Sequence, residues 1–127
     1  MSVLVDTSVW IRFLSNRAPY AAELGALLSQ DDVVGHDFVY GELLVGDKGG
    51  RKKLLSEYRL IDHAPVVPHA EVVSFVRDRR LHGGGIGWID AHLLASALVS
   101  RMPLWTIDPR LAAIAQELNI AYQPLTR

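Results

Sequence analysis

The stretch "VLVDTSVWI", residues 3–11, decides the fold. Three strand-forming residues, Val3, Leu4 and Val5, stop abruptly at Asp6, and Thr7 and Ser8 follow at once. Asp is a good helix N-cap and Ser and Thr suit first turns, so the routine reading is a strand running straight into a helix over 7–14. The other reading is that Asp6 belongs to a charged site assembled from distant pieces of chain. The same pattern returns in "LWTIDPRL", residues 104–111, where a strand over 104–107 meets Asp108 and then Pro109, a residue suited to the first position of a helix.

Between these two strands the pattern alternates. After a loop through Asn16 and Pro19, Ala21, Leu24, Leu27 and Leu28 fall on one helical stripe. Val33 and Val34 make a short strand, and "HDFVYGELLVGDKGG" a helix ending near Gly46 or Gly49. Further helices are expected over 51–60, over 71–81 with Val72, Phe75 and Val76, and from Ile89 through Leu98. "APVVP" is a brief strand or extended link, and "HGGGIG" a flexible loop. After Pro109 come Leu111, Ile114, Ala115 and Leu118 on one helical face, then a short strand over 121–123. Short apolar strands alternating with helices predict an α/β fold with a largely parallel sheet. In such sheets ligands bind beyond the carboxyl ends of the strands, where Asp6 and Asp108 stand.

Composition narrows the function. At 127 residues the chain suits a single domain, 1–127, with a sizeable core. Its net charge of −1 gives no overall pull toward nucleic acid or membrane, so a polyanionic partner must be met by local patches or by metal ions. The absence of cysteine excludes disulfides, thiolate catalysis and zinc fingers, and it suits a reducing compartment. With neither a signal-peptide pattern nor an apolar run long enough for a membrane span, a cytoplasmic protein is expected.

Four carboxylates stand out: Asp6, Glu42, Asp90 and Asp108. Asp6, Asp90 and Asp108 each have an alternative role as helix caps, worth about 1 kcal/mol apiece. Glu42 shares a helical face with Phe38, Val39, Val45 and Gly46, an apolar stripe in which an unpaired carboxylate is costly. No Lys or Arg lies at helical spacing from it, so its partner is a distant basic residue or a metal. If the four acids converge they cannot all ionise without a counter-charge, and oxygen ligands without Cys or paired His favour Mg²⁺ or Mn²⁺ over zinc. Such an arrangement suits phosphodiester hydrolysis.

The stretches "VLVDTSVWI", "YGELLVG", "GWIDAHLLASAL" and "LWTIDPRL" together resemble the PIN-domain ribonucleases, and in particular the VapC-type toxins of bacterial toxin–antitoxin pairs. The resemblance covers essentially the whole chain. It implies a PIN-like fold, a central mainly parallel sheet flanked by helices in three layers (α/β/α), and a Mg²⁺- or Mn²⁺-dependent endoribonuclease site. The acids carry over as Asp6, Glu42, Asp90 and Asp108, with Asp6, Asp90 and Asp108 as metal ligands and Glu42 orienting or deprotonating the attacking water. Ser8 and Thr106 match supporting hydroxyl positions. Some relatives have a further acid one turn after the third; here Leu93 and Leu94 occupy that region, so a second metal site is expected to be weak or absent. An RNA substrate, an antitoxin of VapB type and a homodimer are the implied partners. A PIN-type nuclease of RNA processing or DNA repair, or a noncatalytic PIN-like scaffold, are the alternatives.

The remaining features are assigned lesser roles. The five histidines lack metal-site spacing and are expected at the surface or as caps. Arg12, Arg17, Arg51, Lys52 and Lys53, and a second cluster of Arg77, Arg79 and Arg80, could track an RNA backbone. Trp10, Trp88 and Trp105 are expected in the core or at interfaces, with Trp10 and Tyr20 the alternatives for an exposed partner surface.

Overall fold

A computed structural model describes residues 2–124. Its three strands are β1 (Val3–Val5), β2 (Val33–Val34) and β3 (Leu104–Trp105), all parallel, in the order β2-β1-β3. Val3 pairs with Val33 and Leu4 with Val34 on one side of β1; Leu4 pairs with Leu104 and Val5 with Trp105 on the other. Every residue of β1 is fully buried, as expected of a central parallel strand covered on both faces. Seven helices flank the sheet among the described residues: α1 (Thr7–Leu14), α2 (Tyr20–Ser29), α3 (Asp37–Val45), α4 (Lys52–Tyr58), α5 (His69–Asp78), α6 (Trp88–Ser100) and α7 (Pro109–Glu117).

The alternation read from the sequence is present, with local differences. β3 ends at Trp105 rather than residue 107; Thr106 lies just beyond the ladder, where its hydroxyl bonds Asp6. The link through "APVVP" is extended without forming a strand, and the expected strand over 121–123 amounts to a single bridge between Leu104 and Ala121. α6 is more deeply set than a one-stripe helix: Ala91 through Ala97 are buried all round, so it packs within the molecule rather than on it. Trp10 is buried against Phe13 and Tyr58, with ring centroids 5.8 and 5.2 Å away; it is a core residue and not part of an exposed surface. Trp105 is also core, whereas Trp88 is not.

This topology places the site. The chain leaves β1 to form β2 on one side and returns to form β3 on the other, and such a reversal opens a crevice at the carboxyl ends of the strands. Asp6 and Thr106 stand immediately beyond β1 and β3. No helix among the described residues is long and apolar enough to cross a membrane.

Candidate active site

Asp6 occupies the N-cap position of α1, yet its side chain does not cap. Its backbone is fixed at both ends: the N–H donates to the Trp105 carbonyl at 2.9 Å, and the carbonyl accepts from Val9 and Trp10. The carboxylate turns instead to two hydroxyls. Ser8 Oγ donates to Asp6 Oδ2 at 2.7 Å and Thr106 Oγ1 donates to the same oxygen at 2.8 Å. Each hydroxyl has one proton and gives it to Asp6, so the 3.4 Å separation between Ser8 and Thr106 is a contact rather than a third bond. Their lone pairs accept from the backbone N–H groups of Ile107 and Asp108, at 3.3 and 3.1 Å. The "DTS" and "TID" motifs therefore interlock across β1 and β3 and hold a buried carboxylate in one orientation.

Asp108 and Asp90 are caps as well as neighbours of this carboxylate. Asp108 Oδ1 accepts from the backbone N–H groups of Arg110 and Leu111, closing the first turn of α7. Asp90 Oδ2 accepts from the Gly87 N–H at 3.0 Å, in the first turn of α6. Glu42, on α3, is tied by Thr7, whose Oγ1 donates to Oε1 at 2.6 Å. Each of the four acids thus has one oxygen engaged, while the other has no hydrogen-bond partner among the described residues. None has a Lys, Arg or His within ion-pair distance among them either.

The electrostatics link all four. Burial raises the Glu42 carboxyl above the usual carboxylate range, opposed by the Thr7 bond and reinforced by the charges of Asp6 and Asp90. Burial likewise raises Asp90, opposed by the Gly87 N–H and reinforced by Asp6 and Asp108. The acids so linked come from the ends of β1 and β3 and from α3 and α6. As placed they do not form a ready-made cage: no three His, Asp or Glu side chains among the described residues are arranged to hold one ion. Thr7, Gly87 and the α7 backbone each hold one of Glu42, Asp90 and Asp108.

One sequence expectation about Glu42 needs correcting. The apolar stripe exists, but only Val39 is buried. Phe38, Glu42, Val45 and Gly46 border an open groove of about 530 Å³ with Ile89, and Val45 is 87% exposed. Periodicity identified residues that share a face; that face is uncovered, so Glu42 is not sealed in the core.

The basic residues divide. Arg17, Lys52 and Lys53 are exposed, and Lys53 lies 3.9 Å from Glu57. Arg51 is half-buried, and its Nη1 donates to the Leu43 carbonyl at 2.8 Å, so part of its guanidinium closes the end of α3. Arg12 Nη1 reaches the Ser8 carbonyl at 3.4 Å on its own helix. Arg77, Arg79 and Arg80 are exposed at and just beyond the end of α5. His69 and His82 are exposed and His36 caps α3, as expected, although His36 is fully buried; His92 departs from the expectation, buried beside Phe38 and Trp88. Leu93 and Leu94 are fully buried core residues.

One neighbour of the acids, Thr7, and one loop contact, Arg110, are not legible in the sequence. Thr7 was noted only as a first-turn residue, although its place between Asp6 and Ser8 is the signal that could have found it. Arg110, in "DPR", lies across the glycine loop; a Cβ on Gly85 would sit 2.7 Å from its side chain, and Gly85 has φ +81°. The positive φ favours glycine there, while the Arg110 side chain could shift aside.

Comparison with known proteins agrees with this geometry. The PIN domain family model matches residues 3–117. "Ribonuclease VapC32" of Mycobacterium tuberculosis, in both strain CDC 1551 / Oshkosh and strain ATCC 25618 / H37Rv, is 44% identical over 120 residues, covering 94% of this chain and 94% of the relative. The chain belongs to the PIN-domain family and, within it, to the VapC-type ribonuclease toxins.

Proposed function

We propose that this chain is the toxin of a toxin–antitoxin pair and cuts RNA internally by Mg²⁺- or Mn²⁺-dependent hydrolysis at Asp6, Glu42, Asp90 and Asp108. One observation carries the assignment: four acids from separate elements are linked electrostatically, each with one oxygen tied and one free, and no basic side chain among the described residues neutralises them. The donor set is all oxygen, which fits a hard divalent cation. Asp6, Asp90 and Asp108 would hold it, directly or through water. When bound, the ion polarises a phosphoryl oxygen and makes water a better nucleophile.

The chain's own groups account for the rest. Ser8 and Thr106 lock Asp6 so that its free oxygen points in one direction. Asp90 and Asp108, each anchored to a helix start, cannot swing freely. Partial burial and the charges of Asp6 and Asp90 raise the Glu42 carboxyl above the usual carboxylate range, which suits its free Oε2 to take a proton from attacking water. With Leu93 and Leu94 in the core where another acid would stand, a single ion is the proposed complement. Arg12, Arg17, Lys52 and Lys53, with the free part of Arg51, would follow the RNA backbone. The partners are a VapB-type antitoxin and a second copy of the chain, and the site of action is the cytoplasm.

The test is cleavage of single-stranded RNA by the purified chain. Cutting is expected to need Mg²⁺ or Mn²⁺, to stop with chelator, and to leave 5′-phosphate and 3′-hydroxyl ends. Chelator-insensitive cutting, or 2′,3′-cyclic phosphate ends, would overturn the mechanism.

A further inference from the structure

Of the three tryptophans, Trp10 and Trp105 are core, while Trp88 is 43% exposed. It is the one tryptophan with a face open to a partner. Trp88 opens α6, two residues before Asp90. The His92 ring, one turn on, stands perpendicular to it with centroids 5.0 Å apart. His69, the first residue of α5, lies 5.1 Å away on another element. His92 in turn packs on Phe38 at 4.7 Å, and Phe38 borders the groove that holds Glu42 and Ile89. A continuous row of rings therefore runs from Trp88 to the edge of the acidic site.

We propose that Trp88 is a stacking platform for an unpaired base of the RNA strand. The inference rests on the ribonuclease function proposed above. A single strand passing the acids continues on both sides of the reacting phosphate, and carboxylates acting on that phosphate give no hold on the bases. An indole braced by neighbouring rings supplies one, because every base presents a π-face and needs little ordering to stack on it. The flanking groups are imidazoles rather than aliphatic chains, which favours a flat, polar-edged base over an apolar peptide side chain.

The experiment measures binding of short oligoadenylate, and cleavage of a longer single-stranded RNA, by the full chain and its Trp88→Ala and Trp88→Phe variants. Trp88→Ala is expected to weaken oligoadenylate binding and raise KM by roughly 5- to 100-fold with kcat changed far less, and Trp88→Phe to restore most of the loss. Indole emission of the unaltered chain should be quenched by the oligonucleotide, and that quench should be missing in Trp88→Phe. Unchanged KM in Trp88→Ala, or no quench in a chain that cleaves RNA, overturns the platform and leaves the ribonuclease assignment standing. Loss of antitoxin binding alone, with RNA binding intact, likewise overturns it by making Trp88 a protein contact. A chain that neither binds nor cuts RNA refutes the function and the platform together. The unaltered chain's own emission keeps the test decisive if Trp88→Ala does not fold.

Discussion

Protonating His36 should unfasten the body of the molecule from the inside, and the effect can be sized. His36 is fully buried between β2 and α3. Its Nδ1 accepts from the Phe38 N–H at 3.0 Å, so the ring proton is on Nε2 and goes to Ser96 Oγ at 3.0 Å. Ser96 then donates to the Pro65 carbonyl at 2.7 Å, and the His36 N–H donates to Tyr58 Oη at 2.8 Å. Only a neutral imidazole with that tautomer accepts from Phe38 while donating to Ser96, the bonds that link α3, α6 and the 64–68 link; the backbone bond to Tyr58 of α4 does not depend on the ring. Burial is the main cause that lowers its pKa from 6.5 to about 4; the Asp37 charge opposes the shift, and His92 and His63 add to it. Between those values the unfolded chain binds a proton that the folded chain refuses, so stability is complete above pH 6.5 and falls as pH drops toward 4. At about 1.4 kcal/mol per pH unit the loss reaches roughly 3 kcal/mol, as an upper figure. Urea unfolding from pH 7.5 to 4.5 of the unaltered chain and of His36→Asn isolates it. Asn keeps a capping oxygen for Phe38 but does not titrate and is too short for Ser96, so the variant starts lower, by about 1–3 kcal/mol, and varies less with pH. Equal pH slopes in the two proteins would refute the argument.

The other predictions concern the acids. Asp108→Ser keeps a capping oxygen for α7 and removes the carboxylate, so thermal unfolding should hardly change while RNA cleavage is lost; Asp108→Ala should lose cleavage and about 1 kcal/mol as well. Glu42→Gln keeps the bond from Thr7 and relieves the repulsion from Asp6 and Asp90, so its melting temperature should stay level or rise while cleavage falls by roughly 10²- to 10⁴-fold. Thr106→Val removes a donor to Asp6 and an acceptor from the Asp108 N–H, and should cost about 1–3 kcal/mol in denaturant unfolding together with activity.

How far the sequence could be read follows from what sequence patterns encode. "VLVD" marks the end of β1 and "TIDP" the start of α7, and both mark their aspartates, because each signal is local: apolar strand residues, then an acid with a capping neighbour; the end of β3, two residues short of residue 107, is not legible that way. Pro109 at the first position of α7, with Asp108 capping it, was legible for the same reason. Capping does not compete with the proposed role of Asp90 and Asp108, because a carboxylate has two oxygens and the cap engages one. Asp6, which occupies the cap position, does not cap, since two hydroxyls give it better donors. Glu42 shows the limit of periodicity, which tells what shares a helix face but not whether anything covers it. The Thr7–Glu42 bond spans 35 residues and the Thr106–Asp6 bond 100, separations at which spacing carries no information. His36 was equally hidden, because its role depends on Ser96 and Tyr58 meeting it in the interior.

The most direct test of the account is calorimetric titration of Mn²⁺ into the chain and into Asp6→Asn. Saturable binding to the unaltered chain, a rise in its melting temperature with the ion, and loss of both in a folded Asp6→Asn variant are the predicted results. Identical Mn²⁺ binding by the two proteins, or none by either while RNA is still cut, would contradict the claim that these carboxylates form a cation site.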